Sequence, residues 1–137
     1  MELLIKLPIR AKSSQDKKIA RFGKRFGVRN SDSTLLFKEQ IMKLLIPFSS
    51  ESILFKNKFN PKIHYIHADW SFCYDNLYTK KGEINSRCCD LGNDIKCVQD
   101  IIMNKFIGID DKFICSCEIR KIEAKDAIIL NLKICNR

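Results

Sequence analysis

Residues whose types suit metal-ion chemistry are concentrated between positions 90 and 111. Asp90 precedes a predicted helix, Lys96 lies in its first turn, and Asp100 lies one turn further on the face of Lys96. Asp110 and Asp111 stand where the chain begins the next predicted strand. If helix and strand are neighbours, Asp90 and Asp111 converge near the helix start with Lys96 between them. Because clustered carboxylates repel one another, a hard cation, Mg²⁺ or Mn²⁺, is predicted to hold them together.

This set of groups suits phosphodiester hydrolysis, in which a metal ion activates water and a lysine neutralises a phosphate oxygen. Structural interpretations of the same residues stay open. Asp94 near the helix start complements the helix dipole, and Lys96 with Asp100 forms an ordinary surface ion pair. Asp110 and Asp111 after Gly108 are also typical of a turn.

Most of the net charge of +9 comes from the first thirty residues, which hold nine basic and two acidic side chains. Such a concentration attracts a polyanion, because each neutralised phosphate releases condensed counterions. A solvated face and an acidic protein partner remain alternatives, while no basic amphipathic helix supports membrane binding. The predicted DNA-binding residues are Arg10, Lys12, Lys17, Lys18, Arg21, Lys24, Arg25 and Arg29.

The seven cysteines indicate a reducing, cytoplasmic setting, since their number is odd and no secretory signal precedes them. Paired spacing of the zinc-binding kind is absent from the sequence, so buried free thiols are favoured over a zinc site. On a strand, Cys115 and Cys117 point to one face and are expected to be small core residues.

The apolar pattern predicts a small single domain over residues 1–137, of the α+β class, with a mixed sheet and two main helices. Residues 48–60 form a polar connection, and no apolar run is long enough to cross a membrane. The predicted strands are Leu3–Ile9, a hairpin of Ile19–Phe22 and Arg25–Arg29, Lys62–Tyr74, Lys112–Ile122 and Ala127–Cys135, and the predicted helices run from about Asp32 to Leu45 and from Asp94 to Phe106.

Helical spacing predicts which side chains of the two helices face the core. In the first helix they are Leu36, Phe37, Ile41, Leu44 and Leu45, and in the second Ile95, Val98, Ile102 and Phe106. In Lys62–Tyr74 the alternating residues Ile66, Ala68, Trp70, Phe72 and Tyr74 share one buried face.

The stretch from 90 to 111 resembles the RusA family of Holliday-junction endodeoxyribonucleases. The motif of that family is Asp-x-Asp-Asn-x-x-Lys-x-x-x-Asp, followed by Asp-Asp at the start of a strand. Here it stands without a gap as Asp90-Leu91-Gly92-Asn93-Asp94-Ile95-Lys96, then Asp100, then Gly108-Ile109-Asp110-Asp111. The opening strand, basic loop, hairpin and first helix resemble the N-terminal half of the family more weakly.

The resemblance implies a Mg²⁺-dependent nuclease that acts as a homodimer on branched DNA in recombination and repair. By position, Asp90 and Asp111 match metal-binding catalytic aspartates, and Lys96 matches the catalytic lysine. Asn93, Asp94, Asp100 and Asp110 are supporting residues, and residues 10–29 contact DNA.

The second aspartate of the motif is replaced by Gly92. Asp94, or Asp69 or Asp75 on the preceding strand, is then needed as a substitute ligand. The alternative is a catalytically impaired protein of the same fold that binds junctions without cutting them.

Overall fold

A four-stranded mixed sheet and the helices on one of its faces make up most of the described chain. The computed structural model describes residues 1–12, 17–22, 25–30, 32–88 and 92–137, and of residues 17–22, 25–30, 93 and 94 it describes the backbone. None of the helices in these ranges combines the length and apolarity needed to span a membrane. The elements are β1 (Glu2–Leu7), β2 (Lys17–Phe22), β3 (Arg25–Asn30), α1 (Asp32–Leu45), α2 (Ser49–Lys58), β4 (His64–Tyr74), α3 (Asn93–Asp100) with a π-helical continuation (Ile101–Ile107), β5 (Ile114–Glu123) and β6 (Ala127–Asn136).

The order of the strands in the main sheet is β1-β6-β4-β5, and β2 and β3 pair separately as an antiparallel hairpin. β4 is antiparallel to β6 and parallel to β5, so the sheet is mixed and the predicted α+β class is confirmed. Parallel neighbours need a crossover connection. Here α3 and its π-helical continuation provide it, and they bring the chain back to the edge where β4 begins.

The core lies between the helices and one face of the sheet. All five predicted core residues of β4 are fully buried, which confirms the alternating pattern. In α1 the buried stripe includes Phe37, Ile41 and Leu45 as predicted. Leu36 is 56% exposed, so its predicted core position is wrong, and Thr34 completes the buried stripe instead.

The segment 48–60, predicted as a polar connection, instead contains the helix α2. Pro47 lies at the start of a short 3-10 turn that leads into α2, and proline is compatible with a first helical turn. α2 buries Phe55, while its neighbours Ile53 and Leu54 are more than half exposed. Because its apolar residues do not form one stripe, the periodicity that identifies an amphipathic helix is missing.

The described cysteines differ in burial, and Cys135 is intermediate. Cys73, Cys88 and Cys97 are buried free thiols, as predicted. Cys115 and Cys117 are exposed, so the prediction that they are core residues is wrong. Both lie on β5, an edge strand of the described sheet, where fewer neighbouring side chains surround them than in the central strand β4.

Gly108 ends the π-helical segment in the left-handed region, with φ of 79°. A β-carbon there strains the backbone and would stand 2.7 Å from Lys56 Nζ, the flexible end of a side chain that can move away. We expect Gly108→Ala to lower the free energy of unfolding by about 1–2 kcal/mol, measured by urea denaturation. Lys56→Ala in the same chain should restore little of this loss. A full restoration would show that the steric contact, and not the backbone, is the cause.

Candidate active site

The carboxylate of Asp111 lies against the helix that carries Lys96. Gln99 Nε2 donates a hydrogen bond to Asp111 Oδ2 at 3.3 Å, and the Asp111 N–H donates to Asn104 Oδ1 at 3.2 Å. The amide nitrogen of Asn104 in turn donates to Asp100 Oδ1 at 2.8 Å. Gln99, Asp100 and Asn104 therefore fix both the backbone and the side chain of Asp111.

Local structure explains how the start of β5 reaches this helix. The Gly108 N–H bonds back to the carbonyl oxygen of Met103 at 2.8 Å, and the left-handed residue reverses the chain. Asp111 is then carried alongside the turns that hold Gln99 and Asn104. Asn104 belongs to the π-helical part, and π-helical turns are frequent at functional sites.

The side chain of Lys96 is exposed and lies one turn before Gln99 and Asp100 on α3. Residues three or four apart in a helix are surface neighbours, so Lys96 and the Asp111 contact share one side of α3. Within the described ranges Lys96 forms no ion pair, so the surface pair with Asp100 that the sequence left open is not formed. The ammonium group is therefore available to a phosphate.

Asp110 differs from its neighbour Asp111. Its carboxylate accepts a hydrogen bond from the Lys112 N–H at 2.9 Å and lies 3.6 Å from Lys112 Nζ. It thereby caps the 3-10 turn Asp111–Phe113 that precedes β5. Of the two adjacent aspartates, Asp110 has the turn role and Asp111 faces the helix.

The start of α3 holds the remaining predicted site residues. Asp90 lies outside the described residues, and Asn93 and Asp94 are described as backbone in the first turn. The helix begins at Asn93, one residue before the predicted start, with Gly92 in the N-cap position. Gln99, the residue that contacts Asp111, lies about 10 Å along the helix axis from Gly92. A carboxylate that precedes Gly92 must therefore bridge this distance to share a cation with Asp111.

Gly92 departs from the motif in backbone conformation as well as in residue type. Its φ is 96° and its ψ is −44°, a region that L-residues rarely adopt. A β-carbon would find open space there, with nothing within 4 Å. An aspartate at position 92 is therefore disfavoured by the backbone and not by crowding.

Of the other two substitute ligands, Asp69 lies on β4 and Asp75 directly follows it, and each of them is close to an arginine. Asp69 is bound by Arg120, and this hydrogen bond and the Asp69 charge raise the pKa of the guanidinium. Asp69 also belongs to the residues of β4 that alternate with the buried core face, so it points away from α3. Asp75 lies 3.8 Å from Arg10.

The donor set fits a hard cation in part. Asp111 Oδ1 makes no hydrogen bond with any described residue, so one oxygen is available to a ligand while Gln99 holds the other. In the ranges that the structure covers, no group of three His, Cys, Asp or Glu side chains stands ready to hold a metal ion. Mg²⁺ would thus need Asp90 or Asp94 in addition to Asp111.

The structure describes some of the predicted DNA-binding residues with their side chains and others by their backbone alone. The hairpin is confirmed, and its register pairs Lys18 with Arg29 and Phe22 with Arg25. Lys24 lies outside the described residues. The structure describes only the backbone of five other predicted DNA-binding residues, Lys17, Lys18, Arg21, Arg25 and Arg29. Lys12 is half-buried and has an interaction partner.

Arg10 has a structural role in addition to its predicted DNA contact. Its guanidinium donates to Asn76 Oδ1 at 2.6 Å, lies 3.7 Å from Asp126, and stands 4.9 Å from the centre of the Tyr74 ring. A second nitrogen lies 3.6 Å from Cys88 Sγ. Arg10 therefore joins the basic segment to the connection that leads from β4 towards the candidate site.

Gln99 and Asn104 are the site residues that sequence reasoning missed. Both carry neutral amides, and neither belongs to the motif that drew attention to this stretch. Their helical spacing from Lys96 and Asp100 was the one available signal.

Comparisons with known proteins give no identification for this chain, because neither the models of protein families nor the curated proteins match it.

Proposed function

We propose that the chain is a Mg²⁺-dependent, structure-selective endodeoxyribonuclease that resolves four-way DNA junctions as a homodimer in the cytoplasm, in recombination and repair. The observation that supports this most is the contact of Asp111 with Gln99, because it brings the last acidic residue of the motif to the helix of Lys96. Lys96 and the carboxylate of Asp111, which are fifteen residues apart in the sequence, thereby lie on one side of α3.

The proposal gives each group a separate task. Asp111 and Asp90 bind the cation, and Lys96 neutralises a phosphate oxygen of the DNA. Gln99 and Asn104 hold Asp111 in place, and Asp100 holds Asn104. When bound, Mg²⁺ supplies Lewis-acid activation of water and offsets the charge that develops on the phosphate. The basic hairpin contacts the DNA backbone, which positions the junction without reading its sequence.

The test is incubation of the full chain with a synthetic four-way junction and Mg²⁺ or Mn²⁺, beside a linear duplex of the same sequence. The expected result is a pair of symmetric nicks in the junction and little cutting of the duplex. Equal cutting of both substrates would contradict the proposed selectivity for junctions. Cutting that persists in EDTA would contradict the proposed requirement for a metal ion.

The second candidate function is junction binding without cleavage, and the conformation of Gly92 favours it. The backbone there suits glycine and disfavours the aspartate that the motif requires. This protein would retard the junction in gels in a salt-sensitive manner, since its affinity comes from phosphate contacts. It would release no product with either metal ion.

Gly92→Asp separates the two functions. If the wild type binds without cutting and the variant cuts, the missing carboxylate is the cause of the impairment. If neither protein cuts and both retard the junction equally, the fold serves binding alone.

A further inference from the structure

A groove of about 520 Å³ runs between α1 and the π-helical segment, and the described residues that line it include none of the candidate active-site residues. Its apolar lining comes from Leu35 and Met42 of α1 and from Ile101. Lys38, Lys43 and Lys105 also line it. The groove is therefore an apolar cleft bordered by positive charge.

The apolar lining of the groove belongs to a second stripe of α1, beside the stripe that faces the core. Leu35 and Met42 are seven residues apart, which places them two turns apart on one side of the helix. They are 40% and 39% exposed, whereas Phe37 and Ile41 of the core stripe are almost fully buried. α1 thus has a second apolar stripe that is partly exposed.

The charges around the groove are unbalanced. Three lysines stand against Glu39, and within the described ranges none of the three lysines forms an ion pair. Charge complementarity therefore requires an occupant that carries carboxylates beside apolar side chains. The same groove of a second copy fits poorly as the occupant, because a self-complementary contact would bring the unpaired lysines of both copies together.

The lining also argues against a nucleic acid as the occupant. Among the residues whose side chains the structure describes, no Phe, Tyr or Trp lines the groove where a base could stack, and an apolar floor gives no contact to phosphates. The stretch of α1 from Leu35 to Lys43 rises by about 12 Å, which corresponds to about two turns of a helix laid along it. Amphipathic helices bind such grooves through apolar residues three, four and seven apart.

We propose that this groove binds an acidic amphipathic helix of a partner protein. Its apolar residues contact Leu35 and Met42 above the buried Ile101, and its Asp or Glu residues lie beside Lys38, Lys43 and Lys105. The proposal does not depend on nuclease activity, because it rests on a different surface of the molecule.

The experiment is a selection against the full-length chain from displayed helical peptides of about 16 residues. Their apolar stripe is fixed, and the flanking positions are randomised among acidic, basic and neutral residues. We expect the selected peptides to be acidic, and to bind in fluorescence anisotropy about 10-fold more weakly to Leu35→Ser and to Lys38→Glu.

Leu36→Ser is the matched control, because Leu36 is the exposed neighbour of Leu35 and does not line the groove. This variant should bind as the wild type does. Replacement of the acidic residues of a selected peptide by lysine should restore binding to a Lys38→Glu/Lys105→Glu variant.

Several outcomes would overturn the proposal. They are a selection without preference for acidic peptides, and binding that Leu35→Ser does not weaken. Sedimentation that shows a dimer lost in Leu35→Ser would assign the groove to a second copy. Binding of an oligonucleotide that requires Lys38 and Lys105 would assign it to nucleic acid.

Discussion

Asp111→Asn is expected to reduce the rate of junction cleavage in Mg²⁺ by roughly 100-fold or more, since it removes the charge of a proposed metal ligand. The amide oxygen can still accept the hydrogen bond from Gln99, so the fold and the affinity for the junction should be retained. Cleavage is measured with a labelled four-way junction, and binding by gel retardation in EDTA.

Asp110→Asn is the control, because Asp110 is the adjacent aspartate but caps the turn before β5. An amide oxygen can also accept from the Lys112 N–H, so this variant should cut within about twofold of the wild type. Equal activity of the wild type and the Asp111 variant would show that the observed nicks come from a contaminant. Equal loss in both variants would show that the turn, and not a metal ligand, is required.

Trp70→Ala is expected to lower the free energy of unfolding by about 3–5 kcal/mol, since a large core side chain leaves a cavity. Trp70 is fully buried in β4, and its ring stacks on that of Phe72 with centroids 5.6 Å apart and planes 4° apart. Such a loss approaches the total stability of many small domains. Urea denaturation followed by circular dichroism measures it.

Trp70→Phe is the matched variant. The indole Nε1 of Trp70 is buried without a hydrogen-bond partner among the described residues, so its removal relieves an unsatisfied polar group. We expect this variant to lose less than about 2 kcal/mol, because the lost volume and the relieved desolvation oppose each other. If the two variants are equally destabilised, the indole N–H makes an interaction that the phenylalanine ring cannot replace.

The sequence predicts those parts of the fold in which periodicity and burial coincide. β4 is such a case, because every second residue from Ile66 to Tyr74 is apolar and fully buried, although Ser71 and Cys73 between them are buried as well. Periodicity places Phe37 and Ile41 in α1 correctly, but it cannot say where the buried stripe ends, and Leu36 therefore lies outside it. α2 buries a single aromatic residue, and such a helix leaves no periodic signal.

The candidate site was predictable to the extent that charge and spacing define it. The motif places Lys96 on α3 and Asp111 before β5. Because β4 and β5 are parallel, α3 is part of the crossover between them, and the start of β5 returns alongside it. Amide groups such as Gln99 were not predictable, since their role follows from a contact between distant residues. The backbone conformation of Gly92 was not predictable either, because glycine adopts many conformations and the sequence does not select one of them.

The most direct test of the account is the location of Mn²⁺ in crystals of the full chain soaked with this ion, by anomalous scattering. The account predicts one ion bound by the carboxylates of Asp111 and Asp90, with the ammonium of Lys96 beside the phosphate position. An ion bound elsewhere, or Asp90 and Asp111 too far apart to share one, would contradict it.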